Sequence, residues 1–518
     1  MRALHLAVAA GLLAAMPLWA ELPGFLSPGT AEVDGIHNLV LIYHGTKNRP
    51  EWNKQNLLPY VAYVDEQGRP QDWLFDGFLF IEFATDDGVY LHHHLKDKRL
   101  PTAADWTWLS ESWFRPGNGL DGLEAATAEA GKALGQPDRK SPVVITLPLP
   151  LEADTAFGPL PGETRKLDFS RPQDRQAALK WYVDRVREQF AARQYRHLKL
   201  AGFYWTPESI PPQDRELAAW TSGYLKGLGL NQYWIPYNGA QGIREWRRLG
   251  SAGMMIQPNY FFPETPPPLN RFQTTAKTAR LTGAGIEMEF DARALTNDEL
   301  YKRMLGYMDA GSFYGWMTGS LLGWYEGGGA VLKLAASPGR GRELYRKVYE
   351  FTKGTYQPSG QWDFSGLPIV TRDNSKNLIL AGKGAKIEGI LKLPQWGDEL
   401  GPDKINDGDI DLYGGMSGFG AFYIPGSFTV ELPQQTTVAR TQTMFFDLDG
   451  RFFCYRIETS LDKTNWEPAV NKDTGEWRGW QVDRFAPREA KYVRFTCLHN
   501  SVNSIASIVE FEVYSDPE

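Results

Sequence analysis

The stretch LKLAGFYWTPE, residues 198–208, is an apolar run that ends on a Thr-Pro break and a single glutamate. Amphipathic segments lie on both sides of it. Leu179 and Val183 share one helical face before the run, and Leu217 and Tyr224 share another after it. Because a strand between two helices is the repeating unit of α/β proteins, this stretch predicts an α/β fold.

The same unit recurs between residues 34 and 355, where eight apolar runs alternate with amphipathic segments. The runs are HNLVLIYHG (37–45), FDGFLFIEFA (75–84), PVVITLPLP (142–150), LKLAGFYW (198–205), NQYWIPY (231–237), MMIQPNYFF (254–262), GIEMEFDA (285–292) and SLLGWYEGGG (320–329). Eight strands that alternate with helices predict a parallel (β/α)8 barrel of the TIM type. An open doubly wound sheet is the alternative, although no glycine-rich phosphate loop follows an early strand.

A second architecture follows the segment YQPSGQWDFSGLP (356–368), which is rich in Pro, Gly and Ser. Beyond it the helical period disappears, and runs such as GSFTVELP and KYVRFTCL alternate apolar and polar residues. This alternation predicts an antiparallel all-β sandwich. We therefore divide the chain into a leader at 1–20, a barrel at 34–355, a linker at 356–372 and a sandwich at 373–518.

The composition excludes one class of partner. The 518 residues carry a formal net charge of −7, so there is no basic surplus to neutralise phosphates, and no nucleic-acid partner is expected. The 18 Trp, 23 Tyr and 27 Phe fit two interpretations, which are large hydrophobic cores and rings that stack on sugar faces. Composition alone favours the cores.

The first twenty residues, MRALHLAVAAGLLAAMPLWA, have the pattern of a secretory signal peptide. Arg2 supplies the positive charge, Leu4 to Leu18 form the apolar segment, and Ala20 is the small residue before cleavage. A membrane anchor is the alternative, but the apolar segment is shorter than the roughly 20 residues that a spanning helix needs. The expected location is secreted or periplasmic, with no transmembrane segment.

Two cysteines and a run of histidines are candidates for redox or metal chemistry. Cys454 and Cys497 match no metal motif by their spacing, and they either pair in an exported protein or remain free and buried. The run HHH (92–94) invites a metal interpretation, but consecutive side chains point in different directions. A solvated loop is the favoured account of these histidines.

The run GIEMEFD (285–291) places acids on the inner face of the predicted barrel. Strand side chains alternate between the helix layer and the lumen, so its apolar residues meet the helices while Glu287, Glu289 and Asp291 face the lumen. Buried acids without partners are costly. Salt bridges inside the lumen are the structural alternative, but basic residues are scarce in the other runs, Lys199 being the main exception.

Glu208 follows the end of the fourth predicted strand, at the barrel face where such enzymes place their active sites. Glu289 reaches the same face from the seventh strand. A pair of carboxyl groups across a barrel mouth suits glycoside hydrolysis. We therefore predict Glu208 and Glu289 as the catalytic pair, with Glu287, Asp291 and Glu82 as alternates. The alternative role for Glu208 is that of an acid at a helix N-terminus.

Other side chains near the strand ends complete a candidate carbohydrate cleft, in which they could hydrogen-bond hydroxyl groups or stack on rings. These are His44, Glu82, Tyr204, Trp205, Tyr237, Gln257, Asn259, Tyr260, Trp324 and Glu326. Like charges on one strand raise the pKa of Glu289 unless hydrogen-bond donors offset them. Asn259, Tyr237 and Tyr260 are the predicted donors.

Residues 34–355 resemble the bacterial barrel family catalogued as domain of unknown function 4855. The resemblance is carried, in order, by LVLIYHG, LFDGFLF, GFYWTPE, WIPY, QPNYFF and GIEMEFD. The family name implies no activity. The glutamates of the fourth and seventh strands look like those of retaining glycosidase barrels, except that Pro207 stands where many of those enzymes carry Asn.

Residues 375–516 resemble a discoidin, or coagulation factor 5/8 type C, domain. The resemblance is carried by DKINDGD (403–409), FTVELP (428–433), YRIETSLDKTNW (455–466), WRGWQ (477–481), YVRFT (492–496), HNSVN (499–503) and EFEVY (510–514). It implies a jelly-roll sandwich that often binds glycans through loops, with Tyr413, Phe419 and Trp477 as candidate ligand platforms. It also implies a structural calcium ion at Asp403, Asp407 and Asp409; no other cofactor is expected.

The expected function is hydrolysis of an exopolysaccharide or cell-surface glycan by a retaining mechanism. In that mechanism Glu208 is the acid/base and Glu289 the nucleophile. The rival hypothesis is a non-catalytic glycan-binding or adhesion protein. A third is another polysaccharide-modifying reaction at the same mouth.

Overall fold

The structure is a computed structural model that describes residues 24–93, 98–367, 369, 374–391, 401–408, 410, 418–447 and 450–517. The predicted leader at 1–20 lies outside these residues. No helix in the described part is both long and apolar enough to cross a membrane.

Strands and helices alternate through the first part of the chain. The elements are β1 (Asn38–Tyr43), α1 (Lys54–Val61), β2 (Ala62–Val64), β3 (Pro70–Trp73), β4 (Gly77–Ile81), α2 (Ala103–Ser112), α3 (Leu120–Ala133), β5 (Ser141–Leu147), β6 (Gly158–Pro159), β7 (Lys166–Leu167), α4 (Pro172–Arg193), β8 (Leu198–Trp205), α5 (Pro212–Gly227), β9 (Asn231–Trp234), β10 (Gly253–Ile256), α6 (Asn270–Thr282), β11 (Gly285–Glu289), α7 (Asp298–Tyr314), α8 (Trp316–Gly319), β12 (Leu322–Tyr325), α9 (Ala330–Ala336) and α10 (Arg340–Thr352).

Eight of these strands close into a barrel, in the order β1, β4, β5, β8, β9, β10, β11, β12 and back to β1. Every neighbouring pair is parallel. Each predicted apolar run contains one barrel strand, so the predicted eight-stranded barrel is confirmed. Every residue of β1, β4 and β11 is buried, which is why their sequences are so apolar.

The connection between β9 and β10 departs from the alternation of strands and helices. Residues 235–252 are all described, and they contain a short 3-10 turn at Ile243–Glu245 in place of an α-helix. Elsewhere the sequence sets the helix ends clearly. The Asn297 side chain accepts hydrogen bonds from the N–H groups of Glu299 and Leu300, at 2.9 and 3.0 Å, and so begins α7.

Two glycines set the spacing of barrel strands. A Cβ atom on Gly202, in β8, would lie 2.0 Å from the carbonyl oxygen of Asn231 in β9. A Cβ atom on Gly285, in β11, would lie 2.2 Å from the carbonyl oxygen of Leu321, just before β12. Because both obstacles are backbone atoms, only glycine allows these close approaches.

The first part of the predicted linker packs on the barrel. Asp309, buried on α7, accepts hydrogen bonds from the Tyr356 hydroxyl at 2.7 Å and from the Ser359 N–H at 2.8 Å. Tyr356 and Phe364 belong to the barrel core, and the Tyr314 hydroxyl donates to the Leu367 carbonyl at 2.8 Å. Tyr356 and Phe364 are buried in this segment and Trp362 is half-buried, so the segment is part of the packed barrel.

The second part of the chain is a β-sandwich. Its strands are β13 (Lys386–Glu388), β14 (Gly420–Tyr423), β15 (Gly426–Phe445), β16 (Phe453–Ser460), β17 (Glu467–Trp477), β18 (Trp480–Asn500) and β19 (Ile505–Tyr514). All their pairings are antiparallel. A core separate from that of the barrel forms around Phe428, Phe445, Phe495 and Phe511. The predicted sandwich is thus confirmed as a fold.

Candidate active site

A cavity of about 290 Å³ opens at the carboxyl ends of the barrel strands. Three of its lining residues are acids. Glu287 and Glu289 are alternate residues of β11 and point the same way, while Glu208 enters from the loop that follows β8. The full lining is Leu41, Tyr43, Ile81, Phe83, Tyr204, Glu208, Ile235, Gln257, Asn259, Phe262, Glu287, Glu289 and Tyr325.

Of the three acids that line the cavity, Glu289 has the most hydrogen-bond donors from the described residues. Its Oε2 accepts a hydrogen bond from the Asn259 N–H at 2.6 Å and another from the Tyr307 hydroxyl. Asn259 has a φ of 52°, in the left-handed region, which an asparagine tolerates better than most residues. Burial raises the pKa of Glu289 to about 7, although the hydrogen bonds from Tyr307 and Asn259 oppose that rise.

Glu287 has a different environment, although it is only two residues away. Its side chain is buried, with the residue 3% exposed, and no hydrogen bond reaches its carboxyl group from the described residues. Burial raises its pKa well above the usual value, and the neighbouring Glu289 and Glu208 carboxyl groups raise it further. Burial and the two neighbouring acids therefore favour the neutral form of Glu287.

Glu208 is the most exposed of the three acids and lies at the cavity rim. Partial desolvation raises its pKa, and a hydrogen bond from the Gln257 side chain opposes the rise. The preceding Pro207 offers its carbonyl to the indole N–H of Trp234 at 2.8 Å, which fixes the loop on the barrel. An acid with a raised pKa at a rim is suited to hold and release a proton.

Aromatic rings form one wall of the cavity. The Tyr43 ring lies 5.6 Å from that of Phe83 and 5.6 Å from that of Tyr325, and the Phe262 ring lies 5.1 Å from that of Tyr325. Burial raises the pKa of Tyr43, Tyr204 and Tyr325, so their hydroxyl groups remain neutral. The wall combines flat apolar faces with polar hydroxyl groups.

Residues 38–350 match the family described as Domain of unknown function (DUF4855), and these residues make up more than half of the chain. The chain belongs to the DUF4855 family. Residues 395–511 match the F5/8 type C domain, so the predicted order of a DUF4855 barrel and a discoidin-like sandwich is confirmed.

Curated relatives share only a short part of this DUF4855 protein. Human BTB/POZ domain-containing protein 9 is 31% identical over 153 residues, which are 28% of this chain and 25% of that protein. Its counterpart from Drosophila melanogaster is 27% identical over 114 residues, 21% of this chain and 16% of that protein. The chain thus spans about a quarter or less of the length of these relatives.

Among solved structures, a chitosan-binding module from a Paenibacillus sp. IK-5 chitosanase/glucanase is 26% identical, with a TM-score of 0.22. The alignment covers 27% of this chain and 98% of that module.

The DUF4855 cavity contains six of the predicted site residues. They are Glu208, Glu289, Glu287, Tyr204, Gln257 and Asn259. The last two are linked, since the Asn259 side-chain amide donates to the Gln257 Oε1 at 2.9 Å. Of the predicted donors to Glu289, Asn259 acts through its backbone N–H, whereas the Tyr260 N–H donates to the Tyr307 hydroxyl at 2.9 Å. Tyr237 does not line the cavity; it lies beside Gln257 in a single bridge and is 41% exposed.

On the first and eighth strands, the residues that were predicted for the cleft do not line the cavity. On β1 the cavity residue is Tyr43 and not His44, whose Nε2 lies 2.9 Å from the Ser112 carbonyl oxygen, in the helix layer. On β12 it is Tyr325 and not Trp324, whose indole N–H donates to the Asn38 side chain at 3.0 Å. In both cases the residue that lines the cavity is directly adjacent in sequence to the predicted one.

Two predicted acids of the cleft have structural partners instead. The Glu82 carboxylate forms a bidentate pair with the Arg49 guanidinium, at 2.8 and 2.9 Å. Glu326 is fully buried and accepts hydrogen bonds from the N–H groups of Gly329 and Val331, at 2.6 and 3.0 Å. Tyr60 donates to it as well, at 2.9 Å. Neither acid lines the cavity, so neither is available for chemistry there.

The other predicted site residues lie outside the cavity lining. Asp291 caps a short turn and pairs with Arg293 at 2.8 Å. Tyr260 packs its ring against Phe272, and the Trp205 side chain is buried. These three side chains therefore shape the site only indirectly.

Sequence reasoning missed Tyr307 and the aromatic wall. Tyr307 lies on α7 and contacts Glu289 from the helix layer. No local sequence pattern predicts that contact. Tyr43, Phe83, Phe262 and Tyr325 are visible as aromatic residues at strand ends. Their inward direction becomes apparent only when the strands are aligned with β11.

No group of three His, Cys, Asp or Glu side chains in the described residues is arranged to hold a metal ion. The rings of His92 and His93 pack edge to face with centroids 4.5 Å apart, and burial lowers the pKa of His92 to about 3. Of the predicted calcium ligands, Asp407 pairs with Arg244 of the barrel at 2.8 Å and Asp403 lies 3.8 Å from the Lys404 Nζ. Asp409 lies outside the described residues, so the calcium site stays a prediction.

In the sandwich, Cys454 and Cys497 are both buried and both free, which decides between the two alternatives in favour of unpaired thiols. Of the predicted platforms, Phe419 packs on Phe446 with ring centroids 5.2 Å apart, and Trp477 lies under the Lys472 ammonium at 4.1 Å. Tyr413 lies outside the described residues.

Proposed function

We propose that this chain is an exported glycoside hydrolase that acts on a polysaccharide, with its active site at the mouth of a TIM-type (β/α)8 barrel. The observation that carries the proposal is the meeting of Glu208 and Glu289 in one cavity, from strands four and seven. In TIM barrels the carboxyl ends of the strands hold the catalytic groups.

The environments of the two acids fit two different roles. Burial raises the pKa of Glu289 to about 7, but hydrogen bonds from the Asn259 N–H and the Tyr307 hydroxyl to its Oε2 favour the ionised form, as a nucleophile requires. Its Oε1 is the oxygen that would attack the sugar. Glu208 has a pKa raised by desolvation and stands at the rim, where a leaving group would depart. Such a division between paired carboxyl groups is the basis of glycosidase catalysis.

The reaction proceeds in two balanced steps. Glu208 gives its proton to the glycosidic oxygen while that oxygen separates from the anomeric carbon and Glu289 bonds to the carbon. A water molecule then attacks the same carbon, Glu208 takes the proton of the water, and the bond to Glu289 breaks. The product is a sugar with the anomeric configuration of the substrate.

The aromatic wall and the sandwich supply binding. Tyr43 and Tyr325 offer flat faces to a sugar ring. The cavity volume of about 290 Å³ is close to the smallest volumes of ligand pockets, so the cavity suits one sugar unit of a polymer. The F5/8 type C match supports a role for the sandwich in holding a glycan near the barrel.

A second candidate function is glycan binding without cleavage, and the F5/8 type C match favours it. One experiment separates the two. A panel of purified polysaccharides is incubated with the wild-type protein and with the Glu289→Gln variant, and the release of reducing ends is measured. Hydrolysis by the wild type alone supports the enzyme. Retention of a polysaccharide on an affinity gel by both proteins, without new reducing ends, supports the binding protein.

A further inference from the structure

We propose that the sugar unit held in the barrel cavity carries a free, protonated amino group, and that Glu287 is the residue that recognises it. The substrate would then be a polymer of hexosamine with unacetylated amines. This inference rests on the proposed function, because it assigns a role to the carboxyl group that the two catalytic acids leave unused.

The first observation is that Glu287 has no partner of its own. The side chain is buried, lines the cavity and receives no hydrogen bond from the described residues. Two other buried carboxyl groups of the barrel have donors from the protein: Glu82 has Arg49, and Glu326 has backbone N–H groups and Tyr60. An acid in a pocket without a donor from the protein requires an explanation, and in this proposal the donor to Glu287 arrives with the ligand.

The second observation is the charge of the cavity. Its thirteen lining residues include three carboxyl groups and no Lys, Arg or His. The Arg49 guanidinium lies close by, over the Tyr43 ring at 4.7 Å, but the Glu82 carboxylate holds it. A uronic acid would add a fourth negative group with nothing to balance it, whereas an ammonium group would neutralise one carboxylate.

The third observation concerns the rings around Glu287. The Tyr43, Tyr204 and Tyr325 side chains line the same cavity as Glu287. Aromatic faces attract an ammonium group, and neutral hydroxyl groups accept its remaining hydrogen bonds. Together with Glu287 they form a site for a cation attached to a sugar ring.

The test uses the full chain and matched substrates. Polymers of β-1,4-glucosamine and α-1,4-galactosamine are compared with the same polymers after chemical N-acetylation, and with a neutral glucan and a polyuronate. We expect cleavage of at least one free-amine polymer and at least a tenfold lower kcat/KM after N-acetylation. Equal or faster cleavage of acetylated, neutral or anionic polymers would overturn the inference and leave the proposed function standing.

The Glu287→Gln variant keeps the shape of the side chain and removes its charge. We expect its kcat/KM on the free-amine polymer to fall at least tenfold, mainly through a higher KM. Glu66→Gln, an exposed change of the same charge in a turn, should behave as the wild type. An unchanged KM in a folded Glu287→Gln protein would contradict the assignment.

If no polymer is cleaved, the proposed hydrolase function is wrong. The amine site can still be tested in that case, by measuring binding. Calorimetric titration with glucosamine and galactosamine oligomers then compares the wild type with Glu287→Gln. Binding that the substitution weakens at least tenfold supports the amine site. Equal binding by the two proteins, or none by either, overturns it.

Discussion

The Tyr307 hydroxyl donates a hydrogen bond to Oε2 of Glu289 and accepts one from the Tyr260 N–H at 2.9 Å. A helix residue outside the barrel thus orients an acid on its inner face. In the proposed reaction Tyr307 is a positioning residue, because it would act through Glu289.

Replacing Tyr307 by Phe should move the pH profile of the enzyme. Loss of the donor removes stabilisation from the ionised form of Glu289, so its pKa rises, on the order of one unit. Since a nucleophile must be ionised, the acidic limb of kcat/KM should shift to higher pH by that amount. Tyr314→Phe is the matched control, because its hydroxyl bonds only the distant Leu367 carbonyl among the described residues. A profile that stays in place would contradict the role of Tyr307.

Substitution of the two proposed catalytic acids should reduce turnover in different ways. Glu289→Ala should lose turnover on every substrate, and added azide should restore part of it by attacking from the vacated side. Glu208→Ala should lose about 10²–10⁴-fold on polysaccharide. It should lose much less on aryl glycosides whose leaving groups need no proton. Wild-type rates in both variants would show that the pair is assigned wrongly.

Glu326 should make the barrel less stable as the pH rises. Burial raises its pKa to about 7, although N–H groups and Tyr60 oppose the rise. The folded state therefore binds a proton that the unfolded state releases near pH 4.5. The stabilisation from this proton is complete below that pH and is lost as the pH passes 7, to an extent of about 3 kcal/mol.

Denaturant unfolding at pH 5 and pH 8 checks this effect. The wild type should lose more stability between the two pH values than Glu326→Gln, whose side chain does not titrate. Parallel losses in both proteins would place the titrating group elsewhere.

A barrel fragment that ends at Leu367 should fold alone, and it should be more stable than one that ends at Lys353. The shorter fragment lacks Tyr356 and Ser359, the described partners of the buried Asp309, and it lacks the buried Phe364. Uncovering these groups should cost at least about 3 kcal/mol in the free energy of unfolding. Both fragments are compared by urea unfolding, and the longer one is assayed on small soluble substrates. Equal midpoints would mean that residues 356–367 do not stabilise the barrel.

The strands were predictable because a parallel barrel buries both of their faces, which leaves long apolar runs. The same property hides the direction of each side chain. In GIEMEFD the acids alternate with apolar residues, so the sequence shows which side chains of β11 face the lumen. In LVLIYHG and SLLGWYEGGG both faces are apolar, and the assignment of His44 and Trp324 to the lumen failed by one residue.

The contact of Tyr307 with Glu289 could not be predicted for another reason. The sequence places Tyr307 on the apolar face of a helix, where a tyrosine normally fills the core. Its hydroxyl finds Glu289 only through the packing of α7 on β11, which is a tertiary contact between residues 18 positions apart. Arg49 and Glu82 are a similar case, since the sequence around each residue does not show that the two charges will neutralise each other.

Gly202 and Gly285 have a consequence for how substitutions in this chain are interpreted. Each allows the backbone of the next strand to come closer than any side chain would permit, and neither Gly202, within β8, nor Gly285, the first residue of β11, lines the cavity. In a saturation mutagenesis library, positions 202 and 285 should tolerate no other residue, although neither can touch a substrate. Intolerance at these positions would reflect strand spacing, and a map of functional residues drawn from tolerance alone would misplace the active site.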